Sequence, residues 1–262
     1  FDWENLQPIF SGAPEATYGL DRHAGGGAEV EALLGPALEV DRLTVRLATR
    51  VGREVSWEQV KGAADAVIVS TGVWEEPGLG FDSRGKVQGA LDFLQQARAG
   101  VLGSLEGGVA LLAGGDAAMD AARVAWLGGA RPVHVIFDGP RSTMHWHMAE
   151  AWFAEEGVKA MMLTRAVQVV CDSKGRLCGL KVEAVGLNGE SLEDTRTTVS
   201  VSRIINATGL AATAEAKEWM AEGLEAGVFA AGGVINGGAS VGRCVAEGMT
   251  VAQEVDSWLE RL

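Results

Sequence analysis

The stretch that most constrains the fold is residues 107–138, Gly-Gly-Val-Ala-Leu-Leu-Ala-Gly-Gly-Asp-Ala-Ala-Met-Asp-Ala-Ala-Arg-Val-Ala-Trp-Leu-Gly-Gly-Ala-Arg-Pro-Val-His-Val-Ile-Phe-Asp. Residues 109–113 form an unbroken apolar run, as a strand buried on both faces requires. Gly114 and Gly115 then let the backbone turn sharply and approach a ligand closely. From Asp116 the apolar residues Met119, Ala122, Ala125 and Trp126 recur at three- and four-residue spacing, which predicts a helix with one buried stripe. Gly128-Gly129 ends that helix, and residues 133–137 read as a second buried strand. A strand, tight turn, helix and parallel strand aim backbone N–H groups and a positive helix end at a pyrophosphate. Gly114, Gly115, Asp116 and Ala117 are therefore candidate pyrophosphate contacts. Asp138 lies about 20 residues beyond the glycines, where a carboxylate accepts hydrogen bonds from an adenosine ribose. The first glycine of the usual Gly-x-Gly-x-x-Gly/Ala is replaced by Ala113, so a βαβ unit that binds nothing is the competing interpretation.

The flanks read as follows. Residues 1–27 carry little pattern. Residues 28–38 predict a helix, 43–48 a strand, and Ser56 a cap on a short helix. Residues 64–70 form a buried strand ending in Thr71-Gly72, and 89–98 have helical spacing. Beyond the central unit, 142–156 predict a helix after a loop at 141–143. Strands are predicted at 158–163, 167–171, 177–184 and 197–201. Residues 203–208 are another buried strand, ending in Thr208-Gly209. Residues 228–231 lead through a glycine-rich turn into a helix over 240–259. The two Thr-Gly strand ends bracket the βαβ unit and its meander. They predict a Rossmann-like nucleotide-binding domain, 105–202, inserted into an α/β domain made of 1–104 and 203–262.

Composition narrows the function classes. The chain has 262 residues, 36 of them glycine, about twice ordinary usage. A formal net charge of −13 argues against a nucleic-acid partner. No apolar run is long enough to span a bilayer. Three cysteines without Cys-x-x-Cys spacing point to a reducing, cytoplasmic setting. The sequence as given opens on Phe1, so a fragment or a processed chain is expected.

These motifs, in this order, resemble the small (beta) subunit family of glutamate synthase, from about Ala28 onward. The matching stretches are Ala64-Asp-Ala-Val-Ile-Val-Ser-Thr-Gly72, Gly89-Ala-Leu-Asp-Phe-Leu94 and Gly114-Gly-Asp-Ala-Ala-Met-Asp120. Further matches are Ala154-Glu-Glu-Gly-Val158, Ala207-Thr-Gly209 and Gly227-Val-Phe-Ala-Ala-Gly232. The family comprises flavoprotein oxidoreductases with two dinucleotide-binding domains, related to the electron-input part of dihydropyrimidine dehydrogenase. The resemblance implies a module that takes hydride from NAD(P)H and passes electrons through FAD to a partner subunit. It also implies flavin contacts from Thr71, Gly72, Gly232, Gly233, Gly238, Ala239 and Ser240, and makes Thr208 and Gly209 cofactor-binding candidates.

Two departures strike the flavin side. No Gly-x-Gly-x-x-Gly unit precedes Ala28, and Gly233 stands where the family has an Asp for the ribityl-pyrophosphate part. Either an upstream part of the FAD domain lies outside this chain or flavin binding has decayed. On the nicotinamide side, family members that use NADPH carry arginines after the second strand. Here Asp138 repels a 2′-phosphate and accepts from a free 2′-OH, which favours NAD(H). Arg141 keeps NADP(H) open.

The remaining chemical groups form no catalytic set. His145 and His147, at i and i+2 of a predicted helix, point to different sides and make no metal pair. Asp116 and Asp120 suit the positive end of the helix. Cys244 reads as a small buried residue, and the eight tryptophans as core. In a flavoenzyme the cofactor carries the chemistry, so the absence of an acid–base residue is compatible with an oxidoreductase. The rival expectation is a catalytically degenerate scaffold or nucleotide-sensing subunit.

Overall fold

The computed structural model describes residues 35, 42–113, 115–143, 158–238 and 241–262. In chain order these form α1 (Trp57–Gly62), β1 (Val67–Val69), β2 (Val87–Gly89), α2 (Ala90–Arg98), β3 (Val109–Ala113) and α3 (Asp116–Leu127). Next come β4 (Val133–Ile136), β5 (Lys159–Met161), β6 (Thr164–Cys171), β7 (Leu177–Val185), β8 (Ser191–Val199) and β9 (Arg203–Ala207). The chain ends with α4 (Ala214–Ala221), β10 (Val228–Ala230), α5 (Gly233–Asn236) and α6 (Val241–Leu259). Contacts divide it into two compact units. Glu76–Gly209 belong to one, and residues 42–75 with Leu210–Leu262 to the other.

The first unit has three layers. Its middle is a five-stranded parallel sheet in the order β2-β9-β3-β4-β5. Along β3 the side chains alternate: Val109 and Leu111 pack with α2 and α3, while Ala110 and Leu112 pack with the antiparallel sheet β6-β7-β8. Both faces are covered, which is why the strand tolerates no polar residue. The stripe that α3 lays on the sheet is mostly alanine (Ala118, Ala121, Ala122 and Ala125, all buried), with Phe93 and Leu94 of α2 filling the space beside it. Fully burying a side chain such as Leu111 or Phe93 contributes about 1.5–3 kcal/mol.

The second unit is smaller. Its sheet has two parallel strands, β1 and β10, in the register Val67↔Val228 to Val69↔Ala230. Val69 and Val228 pack with Ala216 of α4, and Phe229 packs with Val251 and Trp258 of α6. Ser56 caps α1 in a reciprocal box with Gln59, as the short helix there requires. Trp57 stacks on Trp219 at 5.1 Å, and Glu222 accepts hydrogen bonds from the Trp57 indole (2.6 Å) and from Lys61 (2.6 Å).

Several expectations from sequence change here. Residues 43–48 form no strand; Leu43, Val45 and Leu47 alternate with polar residues but stay exposed, with no partner strand among the described residues. The loop expected at 141–143 is a 3-10 turn, and the strand expected at 197–201 is the longer β8. β2 and α4 were not foreseen. The helix had a legible signal, since Thr213 accepts from the Ala216 amide ahead of an Ala/Glu/Lys-rich run.

The larger correction concerns the unit boundary. β9 hydrogen-bonds to β2 and β3 in the five-stranded sheet, whereas β1 pairs with β10. The strand at 203–207 therefore stays with the central unit, and the chain divides after Glu75 and after Gly209 rather than at 105 and 202. Two strands with the same local ending joined different sheets because pairing is decided by distant residues. Residues 28–34, 36–38, 144–156, Gly114, Ala239 and Ser240, which carried further expectations, lie outside the described residues.

Candidate nucleotide-binding edge

The carboxyl ends of β3, β9 and β4 lie side by side, with Ala113 opposite Ala207 and Leu112 opposite Ile136. This register gathers Gly115, Ala117, Thr208, Gly209 and Asp138 at one edge of the sheet, where ligands of open parallel α/β sheets bind. α3 starts at Asp116 with Gly115 as its cap, a residue with no side chain to take up the cap hydrogen bonds. Nothing stands within 4 Å of where a Gly115 side chain would begin. A 12-residue helix that starts from a glycine cap fits an anion such as a pyrophosphate. Asp120, one turn on, is buried.

Thr208 is held by a residue that the sequence reading passed over. Its amide and hydroxyl both donate to Asn206 Oδ1, at 3.2 and 2.8 Å. Asn206 is buried and in turn donates to Glu76 Oε2 at 3.0 Å. An Asn inside the apolar run Arg-Ile-Ile-Asn-Ala was the available signal, because a buried amide must find partners.

Asp138 has a partner that was also missed. The Leu163 and Thr164 amides donate to the Gly139 and Phe137 carbonyls, at 3.2 and 2.9 Å. Those bonds lay the start of β6 beside the end of β4, and bring the Arg165 guanidinium to 3.8 Å from the Asp138 carboxylate. Arg165 also donates to the Gly189 carbonyl at 3.3 Å. Across β6 and β7 its register partner is Glu183, which is buried. Hydrogen bonds from Ser191 (2.6 Å) and Arg196 (2.9 Å) hold the Glu183 carboxyl below the usual carboxylate range. Arg141 follows Asp138 in the exposed 3-10 turn.

The other predicted glycines converge in the second unit. Thr71-Gly72 follow β1, and Gly232-Gly233 follow its partner β10. A side chain at Gly233 would begin 3.4 Å from the Gly72 Cα and 3.6 Å from the Gly238 Cα. Gly72, Gly232 and Gly238 have φ of 73°, 76° and 92°, which L side chains rarely adopt. The Trp74 indole donates to the Thr71 carbonyl and lies against Gly72. Asn236 Oδ1 accepts from the Gly238 amide, and its Nδ2 donates to Glu247. Cys244 is half-buried beside Gly232, in keeping with a packing role. These glycines bend the backbone sharply after β10, and the sequence from Ala230 to Gly238 carries no carboxylate.

The chain is 30% identical over 269 aligned residues to the NADP(+)-dependent formate dehydrogenase subunit beta of Moorella thermoacetica. That match takes in 86% of this chain and 36% of the relative. It is 32% identical over 148 residues to a protein of Cereibacter sphaeroides named for the glutamate synthase NADPH small chain, 52% of this chain and 34% of that one. The chain is homologous to pyridine-nucleotide oxidoreductase subunits. It spans about a third of the length of both relatives. No family model matches the sequence. The fold is similar to that of FprA of Mycobacterium tuberculosis, solved in complex with NADPH, at a TM-score of 0.71 and 12% identity over 89% of this chain and 72% of that one. The glutamate-synthase-like resemblance and the two-module α/β fold are thus upheld. The preference for NAD(H) is not: both relatives are named for NADP(H), and the acid on which that preference rested sits beside Arg165. Among the described residues no helix is long and apolar enough to cross a membrane.

Proposed function

We propose that this chain is a cytoplasmic NADP(H)-binding module of a multi-subunit oxidoreductase, with Glu76–Gly209 as the nucleotide-binding unit. The observation that carries this is the open start of α3 at the carboxyl edge of a parallel sheet, with Gly115 unencumbered and Thr208 held beside it. A bound pyridine nucleotide supplies a hydride to its redox partner. The chain's own contribution is to bind and orient it. Backbone N–H groups at Gly115, Asp116 and Ala117 meet the pyrophosphate, Thr208 and Gly209 line the neighbouring strand end, and Asp138, Arg141 and Arg165 face the adenosine ribose. Electrons leave toward a partner subunit, as the beta-subunit and small-chain names of the relatives suggest. FAD would sit at the glycine cluster of the second unit, where Thr71, Gly72, Gly232, Gly233 and Gly238 would line it.

Calorimetric titration of the chain with NADPH tests the nucleotide reading. Saturable one-to-one binding is expected, and a flat titration would reject it. FAD added to the same chain alone is expected to bind more weakly than about micromolar. A specific observation favours the rival, a scaffold without flavin chemistry: Gly233 brings no carboxylate to the cradle. A stoichiometric flavin band in the visible spectrum of the purified chain would eliminate that rival.

A further inference from the structure

Resting on the nucleotide reading above, we infer that Arg165 is a specificity-determining residue for the phosphorylated nucleotide, adding a guanidinium from β6 to the single Arg141 that follows the strand end. The sequence after β4 offers Asp138 and Arg141, whose formal charges cancel. Folding adds a third group from a different sheet. With Arg165 at 3.8 Å from Asp138, the formal sum of Asp138, Arg141 and Arg165 becomes −1 + 1 + 1 = +1. The acid that stands alone along the chain therefore has a guanidinium beside it in space.

Arg165 is suited to a phosphate in two further ways. A guanidinium presents a planar fork of donors that matches phosphate oxygens, and it stays charged at any working pH. Its position is also set before any ligand arrives. The Gly189 carbonyl accepts from it on one side, and buried Glu183, itself fixed by Ser191 and Arg196, lies across the strand pair on the other. Pre-positioning of this kind lowers the ordering cost of binding.

The Asp138–Arg165 pair does not block the site. The two side chains are 58% and 41% exposed, and ion pairs so open to water are weak enough for a phosphate dianion to displace. Asp138 then sets the contrast between cofactors. It accepts from a free 2′-hydroxyl, and it opposes a 2′-phosphate that Arg165 attracts.

The test is calorimetric titration of the whole chain with NADPH and NADH, using wild type, Arg165→Gln, Arg165→Lys and Asp138→Asn, with circular-dichroism melts to verify folding. Arg165→Gln should weaken NADPH binding by about tenfold or more, the loss of one charge-assisted hydrogen bond, and leave NADH unchanged. Arg165→Lys should fall between Gln and wild type, because it keeps the charge without the fork. Asp138→Asn should tighten NADPH and weaken NADH, which holds even if the Arg165 variants do not fold. Equal effects of Arg165→Gln on both nucleotides, or looser NADPH binding in Asp138→Asn, would overturn the role of Arg165 while leaving the nucleotide site in place. If wild type binds neither nucleotide, the nucleotide reading itself fails.

Discussion

The two glycine-rich strand ends, one after β3 and one after β10, look alike in sequence and differ in what stands behind them. The first ends a strand flanked on both sides in a five-stranded sheet, and it opens a 12-residue helix whose alanine face is buried. The second ends a three-residue strand with one sheet neighbour among the described residues and opens a four-residue helix. Glycines allow a backbone to bend toward a ligand. Whether that bend is a stiff anion cradle depends on the layers packed beneath it, and those are assembled from distant parts of the chain.

The largest expected contrast is in stability. Leu111 is fully buried at the centre of β3, so Leu111→Ala should cost about 2–5 kcal/mol through lost transfer energy and a cavity. Ile68, in the middle of β1, is 44% exposed on the face away from Val69, so Ile68→Ala should cost about 1 kcal/mol or less. Urea denaturation of both variants decides the matter. Equal shifts in midpoint would mean that the second unit's small sheet is as well supported as the first's.

That contrast also explains what the sequence made legible. β3, α3 and β4 could be read because each carries its own period and its own punctuation, from the apolar run to Gly128-Gly129. The layering could not. Arg203–Ala207 and Val67–Val69 are both apolar strands before a Thr-Gly, and nothing local says that one pairs with β3 and the other with β10. Side chains that reach the site from other strands were equally hidden. Arg165 lies 27 residues past Asp138 in sequence and 3.8 Å from it in space. The NAD(H) preference read from Asp138 along one segment therefore took no account of the guanidinium beside it.

Exchanging features between the two turns sharpens the comparison at the level of ligands. Gly115 has φ of −179°, ordinary extended backbone, and open space around its Cβ position. Gly115→Val should therefore lower the melting temperature only by the cost of a poorer helix cap, while placing methyl groups where the pyrophosphate approaches. The expected loss in NADPH affinity is about tenfold or more, measured by titration. Tight NADPH binding by this variant would move the pyrophosphate away from α3. Gly233→Asp is the converse experiment. A Cβ there makes only ordinary contacts, so the carboxylate should be accommodated and should raise FAD affinity by up to about tenfold. No gain in FAD binding would show that the missing acid is not what limits the second unit.

The smallest expected effect probes how the second unit compensates for its thin sheet. α1 and the end of α4 are tied by Glu222, which accepts from the Lys61 ammonium and the Trp57 indole beside the Trp57–Trp219 stack. The hydrogen bond from Lys61, then that from Trp57, holds the Glu222 carboxyl below its ordinary value of 4.5. The bond to Glu222 raises Lys61 above 10.5. For a carboxylate with a lowered folded-state pKa, the stabilisation is fully present above the ordinary value and is lost as pH falls through the lowered one. For the ammonium with a raised pKa, it is fully present below the ordinary value and is lost as pH rises through the raised one. The pair is thus intact across neutral pH and fails at both extremes. Glu222→Gln keeps an acceptor for the indole and removes the charge, so it isolates the ionic part. Its thermal midpoint should lie slightly below wild type at pH 7, because the groups are partly exposed and screened by water. The gap should shrink as pH falls below 4.5 and close once pH has passed the lowered folded-state value, where wild-type Glu222 also becomes neutral. Salt should narrow it at pH 7, since it screens the charged pair. A gap that persists unchanged into acid would mean that the introduced amide disturbs the packing of the two tryptophans rather than an ion pair, and the tie between α1 and α4 would then be apolar.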